Sequence, residues 1–221
     1  MLPMQDCLNI NEIFLSLQGE GTRAGLPCAI VRLAGCNLRC RWCDSPYSWD
    51  QGAPMKIDAV LEQVRILNCP LVELTGGEPL MQGLSLELMR RLADLGRQVL
   101  LETNGSVDIG GVDPRVVRIM DIKCPSSGQA GSMRWENIPL LRADEEVKFV
   151  LADREDFEYA RSTIADHGLV HKCTVLLSPA AGLLAPATLA QWMLQDEHLP
   201  RQVRMNLQLH RIIWPDKDRG V

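Results

Sequence analysis

Features that mark nucleic-acid-binding, secreted and membrane proteins are missing from this 221-residue sequence. Basic residues do not exceed acidic ones, since 23 Lys and Arg stand against 28 Asp and Glu, and a formal net charge of −5 provides no positive field for a phosphate backbone. The first residues, MLPMQDCLNINE, lack the basic start and apolar core of a signal peptide, and no apolar run reaches the roughly 20 residues that span a membrane. We therefore expect a cytoplasmic protein with neither a nucleic-acid nor a membrane partner.

The composition that is present, 46% hydrophobic and 23% charged residues, is typical of a globular protein, and we expect one domain over residues 1–221. Helical spacing of apolar residues occurs at 57–68, 84–96, 154–168 and 186–195. Seven apolar runs predict buried strands, at residues 28–33, 71–75, 98–105, 116–123, 147–151, 172–179 and 202–208. Alternating strands and helices favour an α/β fold with a mainly parallel sheet. Because a complete eightfold barrel usually needs about 250 residues, we predict an incomplete, TIM-like barrel.

Three of the eight cysteines, Cys36, Cys40 and Cys43, lie within the segment GCNLRCRWCDSPYSWD, and none of the four histidines does. In a reducing compartment such a triplet indicates metal ligation rather than disulfides. A structural zinc site needs a fourth ligand, which distant residues offer: Cys28, Cys124, Cys173 or the neighbouring Asp44. A 4Fe-4S cluster held by three thiolates instead keeps one iron open for a substrate or cofactor, and the spacing favours this reading.

The C-x3-C-x2-C spacing, with Trp42 directly before the third cysteine, resembles the signature of the radical S-adenosylmethionine (SAM) superfamily. The resemblance implies that Cys36, Cys40 and Cys43 bind three irons, that SAM chelates the fourth, and that reductive cleavage of SAM yields a 5′-deoxyadenosyl radical. It also implies that the stretch of Trp42, Cys43 and Asp44 passes beside SAM.

Three further segments match SAM-binding elements of that superfamily. In TGGEP, Gly77 would contact SAM, and Glu78 would add negative charge or orient the loop. In DIKCP the matching residues are Asp121, Ile122 and Lys123, with an ion pair at the surface as the competing reading for Asp121 and Lys123. In LLSP the matching residue is Ser178.

The segment SLQGEG, followed by Gly25, Pro27 and Arg32, resembles the 7-carboxy-7-deazaguanine synthase family, and this likeness extends from Asn11 to LQLHR at 207–211. It implies a SAM- and Mg2+-dependent ring contraction of 6-carboxy-5,6,7,8-tetrahydropterin to 7-carboxy-7-deazaguanine with loss of ammonia, in queuosine and deazapurine biosynthesis. Ser45 occupies the position of the Mg2+-ligating hydroxyl, although a capping or turn role before Pro46 is an equal alternative. The substrate-binding positions are Leu17, Gln18, Gly19, Glu20, Arg32 and Thr75.

The resemblance further implies a homodimer and an electron donor such as flavodoxin, and no catalytic side chain beyond the cluster and SAM. Some family members present a terminal carboxylate to the substrate near the equivalent of Trp214 or Asp216, whereas this chain continues through PDKDRGV, so Asp216 and the terminus at Val221 are the two candidates for that contact. Two other functions stay open: a radical SAM activase that generates a glycyl radical on a partner protein, and a non-enzymatic, metal-stabilised binding module.

Overall fold

The computed structural model describes residues 6–221. The first five residues of MLPMQDCLNINE, the N-terminal segment from which the sequence predicts no signal peptide, lie outside the described residues. Nine strands form one sheet in the order β3-β1-β2-β4-β5-β6-β7-β8-β9. In chain order the strands are β1 Leu8–Leu17, β2 Pro27–Leu33, β3 Ala53–Met55, β4 Leu71–Gly76, β5 Gln98–Thr103, β6 Val117–Ile122, β7 Glu146–Leu151, β8 Thr174–Pro179 and β9 Arg204–Met205.

The sheet is parallel from β2 to β9, whereas β1 pairs antiparallel with both β2 and β3. Its two edge strands, β3 and β9, do not pair with each other, so the sheet stays open. This architecture confirms the predicted α/β fold with an incomplete barrel of mainly parallel strands.

Five α-helices accompany the strands: α1 Ile57–Leu67, α2 Leu84–Asp94, α3 Arg154–Asp166, α4 Pro186–Gln195 and α5 Leu209–Ile213. The first four match the predicted helical segments. Gly96 and Gly168 follow α2 and α3 with φ angles of +73° and +59°, the left-handed conformation that glycine adopts with little strain at a helix end. None of the described helices combines the length and apolarity that crossing a membrane requires.

Strand β1 is the main element that the apolar runs do not predict. Only Leu8 and Ile10 of its ten residues are buried, and most of the others are partly exposed. An antiparallel strand near the edge of a sheet can have one exposed face, so it needs no continuous apolar run. The pattern that predicts buried parallel strands therefore does not identify it. The last predicted strand, 202–208, shortens to the two residues of β9.

Candidate active site

A cavity of about 530 Å³ lies where the parallel strands end, and most of the predicted site residues line it. This location is the usual ligand site of parallel α/β folds, because the loops at the carboxyl ends of the strands converge there. The predicted residues in its wall are Leu17, Gln18, Gly19, Glu20, Arg32, Cys36, Cys40, Trp42, Cys43, Asp44, Ser45, Thr75, Gly77, Asp121 and Lys123. Three predicted residues are not in the wall: Glu78, Ile122 and Ser178.

The three cysteines of the loop after β2 are free thiols that face this cavity. The sulfur of Cys36 accepts hydrogen bonds from the backbone N–H of Leu38 at 3.4 Å and from Nδ2 of Asn104 at 3.8 Å, contacts that suit a sulfur carrying negative charge. Burial raises the pKa of the Cys40 and Cys43 thiols, so ionised sulfurs at these positions need a metal cation beside them. The donor set therefore fits an iron-sulfur cluster held by three thiolates.

The three cysteine sulfurs do not all lie within 4.8 Å of one another; among the described residues, the only three His, Cys, Asp or Glu ligand atoms that do so belong to Glu20, Asp44 and His210. Zn–S bonds of about 2.3 Å place the sulfurs of a tetrahedral zinc site about 3.8 Å apart, so a zinc ion would require these cysteine side chains to move closer together.

The glycines of TGGEP bring this loop into direct contact with the backbone that precedes the first cysteine. Gly76 has a φ of +128°, and a Cβ there would lie 2.1 Å from the carbonyl oxygen of Leu33. A Cβ on Gly77 would lie 1.9 Å from the carbonyl oxygen of Gly35. Any side chain at either position would push the TGGEP loop away from the backbone that leads into the cysteine loop.

Of the two roles that the sequence suggests for Glu78, adding negative charge or orienting the loop, the contacts support the second, because Glu78 is not in the cavity wall. Its side chain is fully buried, and its carboxylate accepts hydrogen bonds from the backbone N–H of Leu80 at 3.0 Å and of Asn104 at 2.7 Å, and from Oγ1 of Thr103 at 2.9 Å. The contacts correspond to the alternative role, in which Glu78 orients the loop by tying it to the end of β5.

Asp121 and Lys123 form the expected ion pair, at 2.9 Å, but within the cavity wall rather than at the surface. Burial disfavours the ammonium of Lys123, yet Asp121 and Cys40 raise its pKa above the usual value. Oδ1 of Asp121 is buried and has no hydrogen-bond partner among the described residues. A buried acceptor of this kind suits a hydroxyl or N–H group of a bound cofactor, so this side of the cavity fits SAM.

Two residues assigned to SAM-binding segments, Ile122 and Ser178, do not present their side chains to the cavity. Ile122 lies between Asp121 and Lys123, and because side chains alternate along a strand, it is fully buried in the core instead. Ser178 is also fully buried, and its hydroxyl accepts a hydrogen bond from Nδ2 of Asn206 at 2.8 Å. The segment after β8 reaches the cavity two residues later, at Ala180.

Arg32 lies in the cavity wall with part of its hydrogen-bonding capacity unused. Its Nε donates to Glu12 at 2.8 Å, and the guanidinium lies 5.9 Å from the ring centroids of both Phe14 and Tyr47. Its two terminal nitrogens make no hydrogen bond within the described residues. The planar guanidinium is therefore held in place while its outer nitrogens are left for a planar anionic group such as a carboxylate.

Ser45 is buried in the cavity wall, directly after the cysteine loop. It precedes the 3-10 turn of Pro46–Trp49, but its side chain makes no capping hydrogen bond there, so the capping alternative lacks support. The hydroxyl donates to Asp44 at 3.2 Å, and its lone pairs can accept from or ligate another partner. Oxygen ligands of this type are those that Mg2+ prefers.

His210, which the sequence left without a role, also reaches the cavity. It lies beside Gly19, where a Cβ would come within 2.5 Å of its Nδ1, and its Nε2 is 3.9 Å from Oδ2 of Asp44. The absence of a side chain at Gly19 therefore permits this packing. Asp216 is not in the wall, although Lys217 and Asp218 are.

Three charged residues of the cavity were missed because they lie inside apolar strand runs: Glu73 in β4, Glu102 in β5 and Lys148 in β7. The ammonium of Lys148 contacts both Glu20 and Glu102, and its side chain is only 4% exposed. A charge in the middle of a run that is otherwise buried is the sequence signal that identifies such residues, since an unpaired charge is rarely buried.

Glu73 holds the side chain of Gln18, one of the predicted substrate contacts. Nε2 of Gln18 donates to Glu73 at 2.9 Å, and Oε1 of Gln18 accepts from the backbone N–H of Glu20 at 3.2 Å. These two contacts fix which end of the amide is nitrogen and which is oxygen. Burial, together with the negative charge of Glu102, raises the pKa of Glu73 to about 8, so Glu73 is largely protonated at neutral pH.

Comparison with known proteins agrees with this geometry. The radical SAM superfamily matches residues 30–165, which include the cysteine loop and the TGGEP loop. The 7-carboxy-7-deazaguanine synthase of Chlorobaculum tepidum is 47% identical over 217 residues, covering 97% of each chain, and that of Koribacter versatilis is 44% identical over 97% of this chain and 100% of its own. The crystal structure of QueE from Escherichia coli shares the fold, with a TM-score of 0.76 over 92% of this chain and 95% of its own, at 22% identity.

These relatives share one name and match almost the whole chain, which favours the synthase over the activase and the binding module. Membership of the radical SAM superfamily also implies a 4Fe-4S cluster and SAM as cofactors, which the thiols and the buried Asp121 oxygen fit. The chain belongs to the 7-carboxy-7-deazaguanine synthase family of radical SAM enzymes.

Proposed function

We propose that this enzyme converts 6-carboxy-5,6,7,8-tetrahydropterin to 7-carboxy-7-deazaguanine, with contraction of the reduced ring and loss of ammonia, and that it requires Mg2+. The observation that carries the proposal is a single cavity lined by three cysteine thiols, by the open nitrogens of Arg32 and by a group of buried carboxylates. The first feature suits a radical-forming cofactor, the second a carboxylate and the third the N–H groups of a pterin.

Each side of the cavity then has a separate task. Cys36, Cys40 and Cys43 hold the cluster, and Asp121 and Lys123 bind SAM. When bound, cluster and SAM together supply the radical that begins the reaction. Arg32 binds and orients the carboxylate of the pterin, because its Nε is anchored on Glu12 and only its outer nitrogens are free to bind.

The residues at the end of β1 and Thr75 would form hydrogen bonds with the pterin ring. The Gln18 amide, fixed by Glu73, offers one N–H and one oxygen lone pair to a ligand. The hydroxyl of Thr75 donates to Glu102 at 2.9 Å, so its lone pairs face outward as acceptors. Ser45 would ligate Mg2+, with the remaining octahedral positions filled by water and substrate oxygens.

Several properties accompany this proposal. The thiols that hold the cluster require a reducing compartment, so we place the enzyme in the cytoplasm. It would receive electrons from a donor protein such as flavodoxin and act as a homodimer, as the family resemblance implies.

The experiment that tests the proposal is an anaerobic assay of the cluster-reconstituted enzyme with SAM, a reductant, Mg2+ and the carboxytetrahydropterin. We expect 7-carboxy-7-deazaguanine and ammonia in equal amounts. The Cys40→Ala variant is the matched control and should form neither, and omission of Mg2+ should lower the rate. SAM cleavage without any deazaguanine would contradict the proposal and would revive the activase alternative.

A further inference from the structure

Lys148 is a buried cation at the centre of the sheet and in the wall of the active site. It belongs to β7 and is paired in register with Asp121 of β6 and with Leu176 of β8. Its side chain is 4% exposed, although it lines the cavity. A buried lysine is costly unless negative charges compensate it, so the surroundings of its ammonium group are informative.

Two carboxylates from different parts of the chain meet at this ammonium group. Nζ of Lys148 donates to Oε2 of Glu20, in the loop after β1, and to Oε1 of Glu102, in β5. Its distance to Oδ2 of Asp121 is 3.9 Å, beyond a hydrogen bond. Lys148 is thus the link between two cavity elements that are separated by more than 80 residues of sequence.

The other oxygen of each carboxylate is also held. Oε1 of Glu20 accepts from Nε2 of Gln208 at 2.8 Å, and Oε2 of Glu102 accepts from Oγ1 of Thr75 at 2.9 Å. A carboxylate offers about four lone-pair sites on two oxygens, so both groups keep unused acceptor positions while their orientation is fixed. Two fixed acceptors in one cavity wall suit a ligand that presents adjacent N–H donors.

Without the ammonium group, the negative charges in this wall would repel each other. The charged and titratable groups around Glu102 come from four elements and are Lys148, Glu20, Glu73, Asp121 and Lys123. Burial favours the neutral form of Glu102, yet Lys148 lowers the pKa of this carboxyl to about 2, with a smaller contribution from Thr75. Removal of the cation would leave burial as the dominant effect, and Glu102 would take up a proton.

We propose that Lys148 is a positioning residue, whose ammonium group holds the carboxylates of Glu20 and Glu102 as a fixed pair of acceptors for the N–H edge of the pterin. This inference rests on the proposed function, since it names what these groups do for that substrate. A site built to hydrogen-bond its ligand discriminates strongly against analogues that lack the donors, so Lys148 also determines specificity indirectly.

The test compares Lys148→Met, which keeps the length of the side chain and removes its charge, with Lys148→Arg, which keeps the charge. Lys56→Met is the matched control, since Lys56 is exposed and outside this cavity. Cluster content, SAM affinity and pterin affinity are measured separately on the reconstituted proteins between pH 5.5 and 8.5. We expect Lys148→Met to bind the pterin about 10- to 100-fold more weakly, with SAM affinity within about twofold of wild type.

The pH dependence separates positioning from a general structural role. Wild-type pterin affinity should not vary over this range through Glu102, whereas affinity of Lys148→Met should fall as the pH falls, because Glu102 becomes protonated and loses acceptor positions. The double variant Lys148→Met/Glu102→Gln removes the cation and the Glu102 carboxylate together, so it should lose the part of this slope that comes from Glu102 while binding weakly.

The outcomes distinguish the inference from the function on which it rests. If wild type converts the pterin and Lys148→Met binds it with wild-type affinity, or with a loss that is the same at every pH, the role given to Lys148 is wrong. An equal pH slope in the double variant also overturns it. If the wild-type enzyme binds no pterin at all, the proposed function falls, and this inference falls with it.

Discussion

The charge state of Glu73 leads to a prediction about stability that Glu73→Gln tests. The pKa of this carboxyl rises from its ordinary value of 4.5 to about 8, chiefly because the group is buried, with repulsion from Glu102 as the second cause. Between these two values the folded protein holds a proton that the unfolded chain has released. The stability that this group contributes is therefore complete below about pH 4.5 and is lost progressively as the pH rises to about 8.

The size of the effect follows from the shift. One fully retained proton changes the free energy of unfolding by about 1.4 kcal/mol per pH unit, and because retention is partial at both ends, wild type should lose stability on the order of 3 kcal/mol between pH 5 and pH 8 from this group. Glutamine has the same shape, does not titrate, and keeps an oxygen for Nε2 of Gln18. Glu73→Gln should therefore be similar to wild type in stability at pH 5 and more stable at pH 8.

The measurement is urea unfolding of both proteins under reducing conditions at pH 5, 6, 7 and 8, with the m value checked for constancy. Glu197→Gln, a substitution at an exposed glutamate, controls for the change in net charge. A stability difference between wild type and Glu73→Gln that stays constant from pH 5 to pH 8 would refute the reasoning, because it would mean that Glu73 is ionised in the folded protein.

Three further substitutions test the assignments of the site. Cys40→Ala should abolish cluster assembly and SAM cleavage, which iron and sulfide content and a SAM-cleavage assay measure. The fold should remain, as thermal unfolding of the cluster-free proteins would show, and full activity would contradict the cluster site. Arg32→Ala should weaken pterin binding about 10- to 100-fold and SAM binding much less, which separate titrations measure, and the opposite ranking would count against the assignment. Ser45→Ala should raise the Mg2+ concentration that gives half-maximal activity, whereas Ser45→Thr, which keeps the hydroxyl, should not; equal Mg2+ requirements in both variants would exclude Ser45 as a ligand.

The sequence predicts the fold and the cofactor loops well because both depend on local signals. Apolar runs separated by helical segments identify the parallel strands, and the cysteine spacing and TGGEP identify two loops at their carboxyl ends. Strand β1 was missed because its exposure pattern is not that of a buried parallel strand. The resemblance assigns Ile122 together with Asp121 and Lys123, but the Ile122 side chain lies on the other face of the strand, in the core, which alternation along a strand explains.

The polar network in the cavity wall was harder to predict, because its members come from strands that are far apart in sequence. Glu73, Glu102 and Lys148 each interrupt an apolar run, so their positions carry a signal, but their mutual contacts depend on the order of the strands in the sheet. Glu78 shows the reverse case. Its motif suggests a cofactor contact, while its hydrogen bonds to Leu80, Thr103 and Asn104 make it a support of the loop.

The register between β2 and β4 explains why one cavity combines the residues proposed to bind substrate with those proposed to bind the cofactors. These parallel strands pair Arg32 with Thr75 and Leu33 with Gly76, so the cysteine loop and the TGGEP loop leave the sheet at the same level. Gly77 then packs against Gly35, which fixes the cysteine loop beside the TGGEP loop. A slip of one residue in β4 would bury the side chain of Thr75 in the wrong face and separate the loops. The same register thus holds the proposed substrate contacts and the cysteine loop at a fixed distance, which a reaction between two bound molecules requires.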